Sequence, residues 1–292
     1  MTEQNTRQGI MLMIVTTFVF GIQDGLSRHL AEVYDVRMVV MIRYWVFALF
    51  ALAMAWRQAG SIRAAFRTSQ PILQALRALI LIAEICVMIV GFVRLGLVES
   101  HAIFACYPLL VAALSGPILG EKVGWRRWAA IGVGFVGVMV ILQPGSSVFS
   151  INMLWAAAAS LMFAVYGLLT RYVGRKDRAI TSFVWTGVVG AAGMTVVGLP
   201  YLAPMTALDS LLMGVLCMTA LTGHYLLIRA YEVAEASAVQ PFAYLQLPFA
   251  SIIGIMVFGD ILRWNVAVGA AIVVSAGVFT LLRERLARQR RH

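Results

Sequence analysis

Long apolar segments follow one another along the whole chain, separated by short polar connections. The stretch 39–55 is apolar except at Arg43 and does not alternate between polar and apolar positions. A membrane β-strand would alternate over about ten residues, whereas a spanning helix needs roughly 20 apolar residues. The pattern therefore predicts transmembrane helices. We expect ten of them, at 9–28, 36–56, 72–94, 99–119, 126–143, 151–171, 179–199, 207–229, 236–258 and 263–282.

Composition places the chain in the membrane class. Of its 292 residues, 61% are hydrophobic and 12% are charged, and the mean hydropathy is +0.88. A soluble domain usually carries about 25% charged residues, so a soluble enzyme, a disordered chain and a disulfide scaffold are excluded. The three cysteines lie far apart in apolar segments and are expected to be small buried residues: Cys86, Cys106 and Cys217.

Positive charges are distributed unevenly between the two sets of loops. With a cytoplasmic N-terminus, the outer loops receive only Arg28, Arg37, Arg94 and Arg263, and the inner loops and the tail receive most of the others. The positive-inside rule then predicts that both termini are cytoplasmic. Basic loops beside anionic lipid account for the net charge of +10, so we expect the bilayer as a partner and no nucleic acid.

The second half of the sequence repeats features of the first. The matches are Pro108 with Pro248, Leu119-Gly120-Glu121 with Phe258-Gly259-Asp260, and Trp125 with Trp264. One unit holds five spans, and an odd number inverts the second copy in the membrane. We therefore expect a first repeat at 1–145 and a second, inverted repeat with a basic tail at 146–292. Many secondary transporters have this architecture, with the substrate site near the midplane.

Two spans at corresponding positions contain internal prolines. They are Pro108 and Pro117 in the fourth span, and Pro241 and Pro248 in the ninth. A proline inside a helix removes a backbone hydrogen bond, and in lipid the freed groups are tolerated only against protein or a wet cavity. Paired broken helices favour a binding site at these two spans. The alternative is a packing kink.

The segment Gly132-Val-Gly134-Phe-Val-Gly137 matches the GxGxxG dinucleotide pattern. That pattern binds a nucleotide only after a strand and at an exposed helix start, whereas here it lies inside an apolar span. We expect it to be a small-residue face for helix packing. The sequence has no metal-ligand cluster, no nucleophile beside a base and no phosphate loop, so we expect neither an enzyme nor a cofactor or metal.

Five ionisable side chains lie inside predicted spans, where such groups usually face a cavity or a partner. Glu84 is expected to bind a substrate ammonium or carry a coupling proton, with a structural hydrogen bond as the alternative. His224 is expected to titrate or donate beside it. Asp24 and Arg43 are expected to form a salt bridge or an outer gate. Arg77 is expected to extend to the inner surface.

Polar and aromatic residues near the broken helices complete the candidate substrate pocket. They are Tyr107, Gln240, Tyr244 and Gln246, with Trp155, Phe163 and Tyr166 of the sixth span. Such a mixture suits a zwitterion with an apolar side chain, and ordinary packing is the alternative for each ring. Four tryptophans at span ends are expected to be interfacial anchors: Trp56, Trp125, Trp128 and Trp264.

With its inverted repeats and the Gly–acid pairs that end the fourth and ninth spans, the sequence resembles the drug/metabolite transporter superfamily. Within it the chain is similar to the EamA family and, by length and loop pattern, to the YddG-like amino-acid exporters. The resemblance implies an all-α integral membrane protein of ten transmembrane helices in two inverted five-helix repeats. It also implies alternating access without ATP in the bacterial inner membrane. The second repeat has Asp260 at the position where the first has Glu121, which is a mild departure from the family pattern.

We expect a secondary transporter that exports amino acids, aromatic or apolar ones among them, and related metabolites. The alternatives are a carrier of the same fold for S-adenosylmethionine, a cationic drug or a nucleotide sugar, a non-transporting membrane protein, and a channel. Only two deep arginines, Arg43 and Arg77, count against a nucleotide sugar. The expected partners are a small-molecule substrate and a coupling proton, and the expected state is a monomer or a weak dimer.

Overall fold

The computed structural model describes residues 6–120, 124–143, 150–174, 176–233 and 242–289, and its elements there are helical. In chain order they are α1 Thr6–Val33, α2 Val36–Ala59, α3 Ile62–Ala65, α4 Pro71–Leu95, α5 Leu97–Phe104, α6 Tyr107–Leu119, α7 Trp125–Leu142, α8 Met153–Val173, α9 Ala179–Gly198, a 3₁₀ turn Leu199–Tyr201, α10 Ala207–Val233, α11 Gln246–Phe258 and α12 Trp264–Gln289.

Within these residues, seven helical segments are long and apolar enough to cross a membrane. Three further apolar helices are shorter: Trp128–Leu142, Gln246–Phe258 and Trp264–Phe279. The all-α membrane protein expected from the sequence is confirmed, and the total of ten crossings stays a prediction. Exposed tryptophans stand at the ends of several helices: Trp56, Trp125, Trp128 and Trp264.

The fourth predicted span consists of two helices, α5 and α6, separated by a turn at 105–106. Pro108 follows this turn as the second residue of α6, where its missing N–H has no helical partner to lose. A similar turn at 244–245 precedes α11, and Pro248 lies in the first turn of that helix. Pro117 lies inside α6 and is exposed. Pro241 lies outside the described residues.

Helix packing follows a reciprocal pattern. α1 packs along α10 and α4 along α8, while α1 also contacts α11 and α8 contacts α6. α2 packs on α9, and α7 packs on α12. Counting by predicted spans, the helix five spans after α1 is α8, the one after α4 is α10, and the one after α5 and α6 is α11. Likewise, α9 corresponds to α2 and α12 to α7. If each helix is exchanged for its counterpart, the same set of contacts is obtained.

The start of α2 is fixed by a capping carboxylate outside the spans. Asp35 accepts a hydrogen bond of 2.8 Å from the backbone N–H of Arg37, which satisfies one free donor of the first turn. The guanidinium of Arg37 also donates to this carboxylate, at 2.8 and 2.7 Å. This side-chain hydrogen bonding holds the pKa of Asp35 below its usual value.

Arg77 lies inside the protein and does not extend to the surface, so the sequence expectation for it is wrong. Its side chain is 1% exposed. The guanidinium donates to the backbone oxygen of Ser182 at 2.6 Å and to the hydroxyl of Thr186 at 2.8 Å. Further acceptors are the side chains of Gln74, Tyr166 and Thr170. Because α8 and α9 supply enough oxygens, the charge is satisfied where it stands, and it ties α4 to both helices.

The glycine-rich segment of α7 packs against its neighbours at two of its three glycines. A Cβ on Gly137 would lie 2.8 Å from the carbonyl oxygen of Gly269 in α12, and one on Gly269 would lie 2.6 Å from that of Gly137. Gly134 lies against the side chain of Leu109, whereas Gly132 has nothing within 4 Å of a Cβ. These contacts support a packing role for the segment.

We predict that Gly137→Ala destabilises the protein by about 1–3 kcal/mol, because the methyl group would separate α7 from α12. Gly132→Ala is the matched control and is expected to leave stability unchanged or slightly raised. The measurement is thermal unfolding in detergent. Equal midpoints for the two variants would contradict this account of the α7–α12 contact.

Candidate functional site

The interrupted fourth span faces the beginning of α11 across a small, partly open cavity. The cavity is lined from both helices by His101, Phe104, Ala105, Tyr107, Pro108, Ala243, Tyr244, Gln246 and Leu247. Irregular backbone is tolerated in a bilayer only where it is covered by protein or lines a wet cavity. The turn at 105–106 therefore lies where a binding site is favoured.

One wall of the cavity carries a polar cluster of Asp24, His101 and Gln246. The amide of Gln246 donates to Asp24 Oδ2 at 2.9 Å. His101 Nε2 lies 3.1 Å from the same oxygen, although the two are not aligned as a hydrogen bond and this nitrogen has no hydrogen-bond partner among the described residues. The polar cluster joins α1, α5 and α11.

The expected salt bridge between Asp24 and Arg43 is not formed in the described structure. The carboxylate of Asp24 is engaged by Gln246 and His101 instead. Arg43 lies in α2 within electrostatic range of Glu84 and His224. The physical reason is that rotation about the axis of α1 presents Asp24 to the broken helices, so their polar groups reach it first.

A continuous row of rings lines the same region and runs from His101 to the far end of α8. The ring row comprises Phe92, His101, Phe104, Tyr107, Phe163 and Tyr166, with neighbouring ring centres 4.9 to 6.4 Å apart. The edge-to-face contact between Tyr107 and Phe163, at 4.9 Å, joins α6 to α8. The structure thus brings together three of the predicted pocket residues: Tyr107, Phe163 and Tyr166.

Two predicted pocket residues are oriented differently from expectation. Trp155 is 39% exposed and contacts none of the described rings, so it points away from the cavity. Tyr244 lines the cavity, but its hydroxyl is buried against Gly277 of α12, and within the part of the chain that the structure describes it has no hydrogen-bond partner. Gln240 lies outside the described residues.

The ionisable residues Glu84 and His224 are both placed inside the helical bundle. Glu84, in α4, is 4% exposed and lies within electrostatic range of Asp24 and Arg43. His224, in α10, is held between aromatic rings, with its centre 5.4 Å from Phe20 and 5.9 Å from Phe47.

His101 is a site residue that the sequence reasoning missed. It was given no role because no other metal ligand lies near it at helical spacing. The available signal was its position seven residues before Pro108 in the same broken span. A histidine there faces the cavity that the interruption creates.

Asp260 forms a cluster of hydrogen bonds at the start of α5. Its Oδ1 accepts from Arg28 Nη1 at 2.7 Å, and its Oδ2 accepts from the backbone N–H groups of Leu97 at 2.7 Å and Val98 at 3.3 Å. We call this set of contacts the Asp260 latch. It joins α1, the start of α5 and the end of α11. A carboxylate at a helix N-terminus is further stabilised by the helix dipole.

The latch depends on a glycine. Gly96 has a φ of +92°, and a Cβ there would lie 2.8 Å from both carboxylate oxygens of Asp260. A side chain at this position would both strain the backbone and push the carboxylate away from the α5 N–H groups.

An all-helical membrane protein with a broken helix around a polar cavity has the architecture of secondary transporters. The chain matches the EamA-like transporter family over residues 7–143. It is 30% identical to the riboflavin transporter of Rhizobium johnstonii, with 78% of this chain and 76% of the relative covered. The chain belongs to the EamA-like transporter family, which confirms the family expected from its sequence.

Other comparisons extend over almost the whole chain. It is 22% identical to the S-adenosylmethionine uptake transporter of Rickettsia prowazekii, over 97% of this chain and 96% of the relative. It is 27% identical to the riboflavin transporter of Vibrio cholerae, over 93% of this chain and 92% of the relative. A solved crystal structure matches with a TM-score of 0.62 at 14% identity, over 98% and 99% of the two chains, and supports the fold alone.

We predict that Asp260→Ala opens the face that the latch closes. Hydrogen bonds to charged groups contribute about 1.5–3 kcal/mol each, so losing the carboxylate should favour the open state at least tenfold. The measurement is the rate of maleimide labelling of Ser100→Cys, one turn inside α5, in a variant with the three native cysteines replaced by alanine. Asp177→Ala is the control, since it removes a hydrogen-bonded carboxylate that lies outside the latch. Labelling of the Asp260→Ala variant as slow as in the parent would refute the latch.

Proposed function

We propose that this EamA-family transporter is a secondary carrier that exports amino acids and related metabolites bearing a flat ring across the bacterial inner membrane. The observation that carries the proposal is the ring row, which places Tyr107 of the cavity lining beside Phe163 and Tyr166 of α8. Flat rings stack well on such a surface, and the polar cluster beside it can fix the orientation of a solute.

The proposed layout is two inverted five-helix repeats, at 1–145 and 146–292. The reciprocal packing of α1 with α10 and of α4 with α8 supports it. Two polar contacts at opposite faces support it as well. At one face, Tyr34 between α1 and α2 donates to Asp209 near the start of α10 at 2.8 Å. At the other face, Gln74 near the start of α4 donates at 2.8 Å to Asp177, which lies between α8 and α9.

We propose that the carrier works by alternating access about the broken helices. The basic loops favour cytoplasmic termini, which places the Asp260 latch on the outer side. With the latch formed, the cavity is closed toward that side. Opening requires the start of α5 to separate from Asp260. Glu121, which the sequence matches to Asp260 and which lies outside the described residues, is proposed to close the opposite side.

The relatives support a ring-bearing solute and leave two kinds open. S-adenosylmethionine combines an amino-acid end with an adenine ring, and riboflavin carries a larger fused ring without an ammonium group. A riboflavin carrier is therefore the second candidate, favoured by the relative that is 30% identical. Counterflow in proteoliposomes with tryptophan, leucine, S-adenosylmethionine and riboflavin distinguishes these possibilities.

We predict that Phe163→Ala raises the half-saturating concentration for a ring-bearing substrate two- to tenfold, because a stacked aromatic contact contributes about 0.5–1.5 kcal/mol. Trp155→Ala is the matched control on the same helix and is expected to leave that concentration unchanged, since Trp155 points away from the cavity. Saturable counterflow of the substrate measures both values. Equal effects of the two substitutions would argue against the ring row as the substrate surface.

A further inference from the structure

Two opposite charges inside the bundle have no partner in the described part of the chain. Glu84 is 4% exposed and Arg43 is 7% exposed, and neither forms a hydrogen bond or an ion pair there. They do not pair with each other, although each lies within electrostatic range of the other. A buried charge without a partner is costly in protein and more so in a bilayer.

Other buried charges of this chain show how such groups are satisfied when their role is structural. Arg77 is 1% exposed and donates to five different residues. Asp260 accepts from Arg28 and from two backbone N–H groups. Arg43 and Glu84 lack comparable contacts, so a structural role does not account for them.

The charged atoms of Arg43 and Glu84 are unpartnered but not sealed off. In this they differ from the hydroxyl of Tyr244, which is buried without any access. Asp24 lies within electrostatic range of Glu84 and accepts a hydrogen bond from Gln246, which lines the cavity. Its Oδ2 also lies 3.1 Å from His101 Nε2. Arg43 and Glu84, on α2 and α4, are therefore coupled electrostatically to the polar cluster beside the cavity.

We propose that Arg43 and Glu84 form a split-charge site for a zwitterionic solute, in which Glu84 binds its ammonium and Arg43 binds its carboxylate. This inference rests on the proposed transport function and assigns the solute's polar end. A guanidinium offers parallel N–H donors that match a carboxylate, and a carboxylate accepts from an ammonium. The two side chains form no ion pair with each other, so neither is neutralised by the other and both can contact the head group of one solute.

The split-charge site also assigns a direction to the bound solute. His101 belongs to the ring row and lies beside Asp24, so the ring row and the split-charge site are neighbours. The ring of the solute is therefore bound by the ring row, and its charged end is bound by Arg43 and Glu84. A solute with both charges satisfies Arg43 and Glu84 together. A solute with one charge leaves the other buried and unpaired, which is the more costly state. The site therefore selects against riboflavin, which has neither charge.

The experiment uses three solutes that share an indole ring: tryptophan with both charges, tryptamine with only the ammonium, and indole-3-propionate with only the carboxylate. S-adenosylmethionine and its decarboxylated form provide a second pair. Counterflow in proteoliposomes is measured for each, together with thermal stabilisation of the detergent-purified protein. The native protein is expected to prefer a zwitterion over its single-charge analogues at least tenfold in one of the two sets.

Two charge-neutral variants test the assignment of each residue. Arg43→Gln should reduce exchange of the zwitterion at least tenfold and affect the ammonium-only analogue much less. Glu84→Gln should reduce exchange of the zwitterion to the same extent and leave exchange of the carboxylate-only analogue nearly unchanged. The controls are Arg63→Gln and Glu32→Gln, which change exposed side chains of the same types and should leave the order of preference unchanged.

The outcomes separate this inference from the proposed function. If the native protein exchanges riboflavin or single-charge solutes as well as zwitterions, the carrier stands and the split-charge site is wrong. An equal loss for all three indoles in both variants, with unfolding midpoints lowered, would show a structural role and also overturn it. If zwitterions stabilise the native protein but not the two variants, and none is exchanged, the site stands and transport fails. No exchange and no stabilisation by any solute refutes both.

Discussion

Two carboxylates hold the short helix α5 in place, and much of the remaining structure depends on this arrangement. Asp260 binds its first N–H groups, and Asp24 lies 3.1 Å from His101 in its last turn. An eight-residue helix is too short to be stable on its own, so its position is set by these contacts and by burial. Because Asp24 lies in α1 and Asp260 follows α11, α5 contacts residues from both halves of the sequence. The cavity, the ring row and the closure of one face all depend on where α5 lies.

The sequence predicted what depends on one helix at a time. Apolar runs of about 20 residues specify spans, and prolines at matching positions indicate where they break. These features are local, so the all-α class and the interruption before Pro108 could be read from the order of residues. Tyr107, Phe163 and Tyr166 could be named as pocket residues because they lie near the breaks or on a helix facing them.

Partners across helices could not be predicted in the same way, because they depend on how each helix is rotated about its axis. Asp24 and Arg43 are expected at a similar depth in the membrane from their positions in the predicted spans. In the structure, however, Asp24 faces α5 and α11, whereas Arg43 faces α4 and α10. The same applies to Arg77. Its position near the end of a predicted span suggested that it extends to the surface, but oxygen atoms of α8 and α9 accept its hydrogen bonds inside the protein. Trp155 lies eight residues before Phe163 on α8, about 80° away around the helix axis, and this offset leaves it 39% exposed and outside the ring row.

The ring row connects charges of opposite sign at its two ends. It begins beside the carboxylate of Asp24 and ends at Tyr166, whose ring centre lies 5.4 Å from the guanidinium carbon of Arg77. Arg77 has neutral oxygens as its described partners, so its positive charge is not cancelled locally. The low dielectric of the bilayer lets the field of such a pair extend along the rings. A ring that lies along the row therefore lies in a directed electric field, with Arg77 at its positive end.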